Sequence, residues 1–268
     1  MSTAIPPVPT GPWGRVRRNA HDAIVIAQRN LMRYVRLPQL LVFSTIQPIM
    51  FVLLFNFVFG GALFLPPDVD AYIDFLMPGI LVQTVLFGAT QTTVGLAEDL
   101  SKGMVDRFRS LPMGRAAVMA GRTLADSLRN VFVVLLMLGV GAIIGFRVHD
   151  GLLAAALAVV LVVAFGFAFS WISAFIGLVT RDPETAQVAG FIWVFPLVFA
   201  SSAFVPVETM PGWLQAFADV QPISVTVDTV RALFLGRPLD SLLPTLAWMA
   251  GILALFVPLS IRQYRRSV

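Results

Sequence analysis

The sequence predicts an all-α integral membrane protein with six transmembrane helices. Of its 268 residues, 57% are hydrophobic and only 13% are charged, whereas a soluble domain carries about 25% charged residues. The apolar residues form six long runs, and a helix needs roughly 20 such residues to cross a bilayer. Because backbone polar groups must be paired inside lipid, the runs predict helices. They lie at about 40–63, 74–96, 123–146, 152–179, 186–206 and 241–261.

The distribution of basic residues predicts that both termini are cytoplasmic. If residues 1–39, 97–130, 180–185 and 262–268 are inside, that side holds 16 of the 19 lysines and arginines, as the positive-inside rule requires. The net charge of +4 is therefore explained by the membrane topology. It predicts that the protein's partner is the lipid bilayer and not a nucleic acid. The composition is typical of a bacterial protein, so the predicted location is the plasma (inner) membrane, in several passes.

The N-terminal part predicts a disordered lead followed by an interfacial helix. Residues 1–20 are predicted to be disordered, and residues 21–268 to form a single transmembrane domain. Residues 21–37 suit an amphipathic helix, with Ile24, Ala27 and Leu31 on one face and arginines on another. Such a helix either lies in the inner headgroup layer or leads into the first span, and the two interpretations are compatible.

Polar amides interrupt the first two predicted spans. Gln47 and Asn56 lie in span 1, and Gln83 and Gln91, which are eight residues apart in span 2, lie on the same side of their helix. Amides inside a membrane usually face protein or a cavity. The two hypotheses are a substrate-lining face and hydrogen bonding between helices.

The longest charged run between two apolar segments is the stretch Glu98–Arg115, which is predicted to be cytoplasmic. Leu100, Met104, Phe108 and Leu111 recur at spacings of four, four and three, which predicts a short helix with one apolar face. Pro112 disfavours helix at the residue before it and ends the pattern. This helix is either a solvated loop or a surface that receives force from another protein.

Three further segments have predicted local structure. Asp126 and Arg129 are three residues apart and predict an ion pair on one helix face. Asp182, followed by proline, suits the start of the fifth helix. Two short outer helices are predicted at about 212–220 and 224–235, too polar to span and too apolar for a free loop.

The composition excludes most catalytic sites. The chain has no cysteine, one lysine (Lys102) and two histidines (His21 and His149, predicted on opposite sides of the membrane). A phosphate-binding loop with Gly-Lys-Ser/Thr and a histidine metal cluster therefore cannot be built. No acid is expected in mid-span, which argues against ion-coupled pumping. A transport function would need energy from elsewhere; a stand-alone secondary transporter or flippase and a membrane enzyme or assembly factor are the alternatives.

The pattern resembles the membrane subunits of type-2 ABC exporters, and within them the daunorubicin-resistance permeases. The outer-helix sequences Pro211-Gly212-Trp213 and Gln221-Pro222-Ile223-Ser224 agree with that branch. The resemblance in the cytoplasmic stretch is carried by Glu98, Gly103, Arg107, Phe108, Leu111, Pro112 and Met113.

The resemblance implies a half-transporter without an ATPase site or cofactor of its own. A separate ATP-binding subunit would bind ATP and magnesium, and two permease chains, identical or related, would pair through spans 1 and 5. The substrates implied are amphipathic drugs, lipids, glycolipids or polysaccharides. The implied coupling-helix residues, which would contact the ATP-binding subunit, are Glu98, Leu100, Met104, Arg107, Phe108, Leu111 and Pro112. The implied pairing places Gln47, Asn56 and Trp193 near the substrate path, to which the polarity of span 2 adds Gln83 and Gln91.

Overall fold

The computed structural model of the protein describes residues 21–22, 24–28, 30–32, 38–61, 71–103 and 115–266, and the regular elements within them are all helical. The predicted disordered lead, residues 1–20, and residues 104–114 of the cytoplasmic stretch lie outside the described residues. The helices, in chain order, are α1 (Pro38–Leu53), α2 (Tyr72–Ser101), α3 (Arg115–Ile144), α4 (Gly151–Thr180), α5 (Pro183–Phe199), α6 (Gly212–Ala218), α7 (Pro222–Leu235) and α8 (Leu242–Arg266). A π-helical segment, Leu54–Phe59, continues α1, and a 3-10 turn, Val207–Thr209, precedes α6.

Four of these helices are long and apolar enough to cross a membrane, namely α2, α3 from Ala120 onward, α4 and α8. Two shorter apolar helices, Ser44–Phe59 and Pro183–Phe199, occupy the positions of predicted spans 1 and 5. The described residues thus form an all-helical membrane protein. That all six helices cross the bilayer stays a prediction.

The centre of the bundle is α2, which packs against α3, α4, α5 and α7. Its mean hydropathy, 1.5, is the lowest among the four long apolar helices, yet 89% of its apolar window is buried. Polar side chains are tolerated there because they face protein rather than lipid. Two close approaches need glycine: a Cβ at Gly79 would overlap the carbonyl of Ala203, and one at Gly177 would overlap that of Thr93. The most polar predicted span is therefore the core of the protein.

The N-terminal residues described, between 21 and 32, are helical, as expected, and lie against the ends of α2, α4 and α8. Ile26 and Ala27 are buried, whereas Ile24, expected on the same face as Ala27, is half exposed. The buried face is therefore rotated from the predicted one, because the helix packs on protein through Ile26, and a position in the headgroup layer stays a prediction. Ile26 belongs to a cluster with Leu96, Trp171, Ala174, Leu178 and Tyr264.

The start of α5 confirms the predicted cap. The Asp182 carboxylate oxygen Oδ2 accepts a hydrogen bond from the Thr185 backbone N–H at 2.8 Å, and Pro183 is the first helical residue. This hydrogen bond to the backbone holds the pKa of the Asp182 carboxyl below its usual value. The tight turn between α4 and α5 is thus specified locally.

The end of α2 corrects the prediction for the cytoplasmic stretch. Glu98 and Leu100 belong to the last turn of α2, which ends at Ser101, and are not part of a separate helix. Gly103 follows in the left-handed region with a φ of 63°, a conformation that glycine adopts readily and that terminates helices. Leu100 is therefore not part of a separate cytoplasmic helix, and the described part of the predicted face ends with α2.

The two short outer helices are present, and α7 begins at Pro222, two residues before the expected start at Ser224. The charge distribution predicts that this pair lies outside and dips into the outer leaflet, which stays a prediction. In the structure α7 is inserted in the bundle, where it contacts α2, α4 and α8. The Gln221 side chain, just before α7, donates to the carbonyls of Leu197 and Ala200 at 3.0 and 2.6 Å. These bonds tie the start of α7 to the end of α5.

A buried arginine holds α7 in place. Arg231 is 6% exposed, and its Nη1 donates to the Asp228 carboxylate at 2.8 Å. Its Nη2 donates to the carbonyls of Phe75 and Ser202 at 3.1 and 2.9 Å. The guanidinium also lies 3.8 Å from the centre of the Phe75 ring, which adds a cation–π contact. One side chain thus joins α7 to α2 and to the turn after α5.

Candidate functional site

A cavity of about 300 Å³ lies between α1, α2, α3 and α5. Its size is at the lower limit for ligand pockets, which span roughly 300–1,000 Å³. Its wall mixes amides, charged groups and aromatic rings, which is the composition expected of a binding site. The lining residues are Ser44, Gln47, Pro48, Thr84, Phe87, Gly88, Gln91, Val94, Gly95, Glu98, Arg122, Arg129, Asn130, Val133 and Phe191.

Two arginines of α3 are seated in two glycine gaps of α2. Arg122 and Arg129 are seven residues apart, as are Gly88 and Gly95, and seven residues make about two helical turns. The helices pair with Gly88 opposite Arg129 and Gly95 opposite Arg122: a Cβ at Gly88 would lie 2.8 Å from Arg129 Nη2, and one at Gly95 would overlap Arg122 Nη2. The missing side chains of α2 therefore make the room in which both guanidinium groups lie.

Hydrogen bonds fix these guanidinium groups. Arg129 Nη2 donates to the carbonyl of Gly88 at 2.7 Å, and Arg122 forms an ion pair with Asp99 of α2. Between them, Thr92 Oγ1 donates to Asp126 Oδ2 at 2.5 Å. The register of α3 on α2 is thus set by three polar contacts in sequence.

Asp126 and Arg129 were predicted to form an ion pair at the inner interface. Both are 5% exposed, and the bonds described above connect each of them to α2. Asp126 lies about three turns into α3 from Arg115. Asp126 nevertheless lies less than two turns from the start of the apolar span Ala120–Ile144 and not at its middle, and its carboxylate accepts the hydrogen bond from the hydroxyl of Thr92.

The structure brings together two of the five predicted substrate-path residues. Gln47 and Gln91 both line the cavity and are exposed. Gln83 is not among the lining residues, and its side chain is buried inside the bundle at 2% exposure. Trp193 stacks on Phe169 at 5.7 Å between ring centres, and Asn56 is half buried in the π-helical segment. A role in the path stays a prediction for all five.

Two of the predicted partner-binding residues, Glu98 and Leu100, lie within the described residues, and the other five lie outside them. Glu98 lines the cavity, and Lys102 Nζ lies 3.4 Å from its carboxylate. Leu100 packs against the inner cluster around Ile26. Glu98 therefore connects the cavity directly to the cytoplasmic stretch. Met104, Arg107, Phe108, Leu111 and Pro112 lie outside the described residues.

The arrangement suits binding by hydrogen bonds and ring contacts. The rings of Phe87 and Phe191 stack at 5.5 Å and line the cavity together with amide, guanidinium and carboxylate groups. Within the part of the chain that the structure describes, no group of three or more His, Cys, Asp or Glu residues could hold a metal ion. The cavity thus offers recognition groups without a metal centre among these residues.

Sequence reasoning missed Arg122, Asn130 and the two glycines of the site. A signal was present: the seven-residue spacing of Gly88 and Gly95 matches that of Arg122 and Arg129. The match becomes informative only when α2 and α3 are known to be antiparallel neighbours in this register.

Replacement of Gly95 by alanine is expected to destabilise the protein, although alanine normally favours a helix by about 1 kcal/mol over glycine. The new Cβ would overlap Arg122 Nη2 and displace the partner of Asp99, and overpacking of this kind costs about 1–3 kcal/mol. Thermal unfolding in detergent measures the change. Gly139→Ala is the matched control, because nothing lies within 4 Å of its Cβ position, and its melting temperature should be unchanged or higher. Equal behaviour of both variants would contradict the role assigned to the gap at Gly95.

Comparison with known proteins gives a consistent result across most of the chain. The family model described as "ABC-2 type transporter" matches residues 22–235. The chain is 37% identical over 238 residues to "Daunorubicin resistance ABC transporter permease protein DrrB1" of Streptomyces coeruleorubidus, which covers 88% of this chain and 83% of that protein. It is 31% identical over 249 residues to "Probable doxorubicin resistance ABC transporter permease protein DrrC" of Mycobacterium tuberculosis, which covers 92% of this chain and 89% of that protein.

Proposed function

Because the chain belongs to the ABC-2 type transporter family, we propose that it is the membrane-spanning subunit of an ATP-driven exporter of amphipathic molecules. The observation that carries the proposal is the family match over residues 22–235, which includes the cytoplasmic stretch and the α6–α7 pair. The relatives named above are resistance permeases for daunorubicin and doxorubicin, so amphipathic drugs are the first class of cargo to test. Lipids and glycolipids are the second.

Energy comes from a separate ATP-binding subunit, which holds ATP and magnesium and docks on the stretch between α2 and α3. Two features support this part of the proposal. The stretch joins the last turn of α2, the central helix, directly to α3, so force applied there reaches the core. Glu98 at the start of the stretch also lines the cavity, so the same motion would reshape the cavity wall.

A second permease, identical or related, pairs with this chain through α1 and α5. Support comes from α5, where Val188 and Ile192 are 65% and 70% exposed and Phe195 is 52% exposed. These side chains follow each other at spacings of four and three and so form one continuous apolar face. A groove of about 740 Å³ runs along this face from Glu184 to Pro196. The six helices α1 to α5 and α8 cross the plasma membrane, with both termini in the cytoplasm.

The test is co-expression with the ATP-binding subunit encoded nearest to this gene. We expect the two proteins to co-purify and inverted membrane vesicles to accumulate daunorubicin or a fluorescent phospholipid only with ATP and magnesium. A permease without the partner is the control. Failure to form a complex, together with uptake driven by an ion gradient alone, would instead support a stand-alone secondary transporter.

A further inference from the structure

We propose that the cavity between α1, α2, α3 and α5 binds a neutral, hydroxyl-bearing ring, such as a sugar ring, of an amphipathic molecule. This inference names the chemistry that the site selects. It rests on the proposed function only in treating the bound molecule as cargo.

The charges around the cavity favour a neutral group. Arg122 and Arg129 share the wall with the carboxylate of Glu98, Arg122 is paired with Asp99, and Glu98 has Lys102 beside it. An anion such as phosphate would be repelled by Glu98 and would gain little from Arg122, whose charge is already balanced by Asp99. A quaternary ammonium would be repelled by the two arginines and would gain little from Glu98, whose charge is already balanced by Lys102. Like charges in a partly desolvated site oppose binding more strongly than in water, so a group without net charge meets the least opposition.

The hydrogen-bonding groups favour a hydroxyl over other neutral groups. Gln47 and Gln91 present exposed amides, each with a donor and an acceptor. Arg122 adds a buried Nε–H that has no hydrogen-bond partner among the described residues. Glu98 adds acceptor oxygens. A hydroxyl both donates and accepts, so a ring with several hydroxyls can satisfy donors and acceptors of this wall together, which a carbonyl or an ether cannot.

Apolar groups of the same lining supply a surface for the face of a ring. Phe87 of α2 and Phe191 of α5 stack at 5.5 Å, and Pro48 also lines the cavity. An aromatic and aliphatic surface packs against the C–H face of a sugar while the neighbouring polar groups bind its hydroxyls. The volume of about 300 Å³ is at the lower limit for drug-sized ligands, so the cavity fits one ring of a larger amphipathic molecule.

The experiment measures binding to the full-length protein in a polyoxyethylene ether detergent, which has no sugar group. Four coumarin probes share one aromatic ring: 4-methylumbelliferyl glucoside, 4-methylumbelliferyl phosphate, a coumarin with a trimethylammonium group, and 7-methoxy-4-methylcoumarin. Fluorescence anisotropy should show that the glucoside binds about tenfold more tightly than the other three probes. Those probes would leave hydrogen-bonding groups of the site unpaired. Equal binding of the phosphate or ammonium probe would overturn the inference, and so would equal binding of the methoxy probe.

Two variants test whether the named side chains provide the selectivity. Gln91→Leu removes an amide that has no hydrogen-bond partner among the described residues, so the variant should fold and bind the glucoside about tenfold more weakly. Arg122→Gln should weaken binding similarly, but it also removes the partner of Asp99. Gln215→Leu on α6, away from the cavity, is the matched control and should bind as the parent does. Unchanged affinity in a folded Gln91→Leu protein would contradict the assignment. No ATP-binding subunit is present in this binding assay. A negative result would therefore overturn only the inference about the cavity, and the exporter proposal would still be tested by co-purification.

Discussion

Arg231→Met should lower the free energy of unfolding of the full-length protein by about 3 kcal/mol. Breaking a buried ion pair costs roughly 3–5 kcal/mol, because the remaining charge loses its partner. The lower end applies here, since the side chain of Asp228 keeps 41% exposure and can be solvated. The carbonyls of Phe75 and Ser202 also lose their donors. Because these groups belong to three different segments, the loss loosens the docking of α7 in the bundle.

Thermal unfolding in detergent measures this effect, with an expected fall in melting temperature of roughly 6 °C or more. Arg266→Met is the control, because Arg266 is exposed at the end of α8, and it should melt within about 1 °C of the parent. The double variant Arg231→Met with Asp228→Leu should recover part of the loss, since it removes the uncompensated carboxylate. Parent-like melting of Arg231→Met would show that α7 is held by its apolar contacts alone.

Phe108→Asp should abolish co-purification with the ATP-binding subunit and, with it, ATP-dependent transport. Phe108 is predicted on one face with Met104 and Leu111, at spacings of four and three. Buried aromatic anchors of interfaces typically contribute 2 kcal/mol or more, and a carboxylate in their place adds a desolvation cost. We therefore expect an affinity reduced by about 30-fold or more.

Ser110→Asp is the matched control for the new carboxylate. Ser110 lies two residues along the same stretch and off the predicted apolar face, so its variant should keep the complex and transport. Pull-down of the ATP-binding subunit and vesicle transport are measured for both variants in parallel. A Phe108→Asp protein that retains its partner would place the docking surface elsewhere. Equal loss in both variants would indicate that any added acid disrupts the stretch.

Local features of the fold were predictable from local residues. The cap at Asp182 depends on one side chain and the backbone three residues later. The positions of the apolar helices follow from continuous runs, and Pro222 opens α7 as proline commonly opens helices. The prediction of a separate helix that contains Leu100 was wrong for an equally local reason, since periodicity was given more weight than Gly103, whose left-handed backbone follows the end of α2.

The candidate site was predictable only in part. Gln47 and Gln91 were identified because an amide in an apolar run is conspicuous wherever it lies. Gln83 has the same chemistry and nearly the same helical face as Gln91, yet its neighbours bury it. Arg129 was treated as part of an interfacial ion pair and Arg122 was missed, because nothing in their immediate sequence shows that glycines of another helix make room for them.

Composition alone was enough to predict an α-helical membrane protein and the segments that form its helices. These properties depend on the free energy of transferring each segment into lipid, which is determined by the residues within that segment. The burial of α2, the insertion of α7 and the grouping of side chains around the cavity depend instead on register between distant helices. Arg129 meets Gly88 across 41 positions, and Arg231 meets Phe75 across 156. Contacts of that range are selected by the fit of whole helix surfaces, which no local pattern of residues encodes.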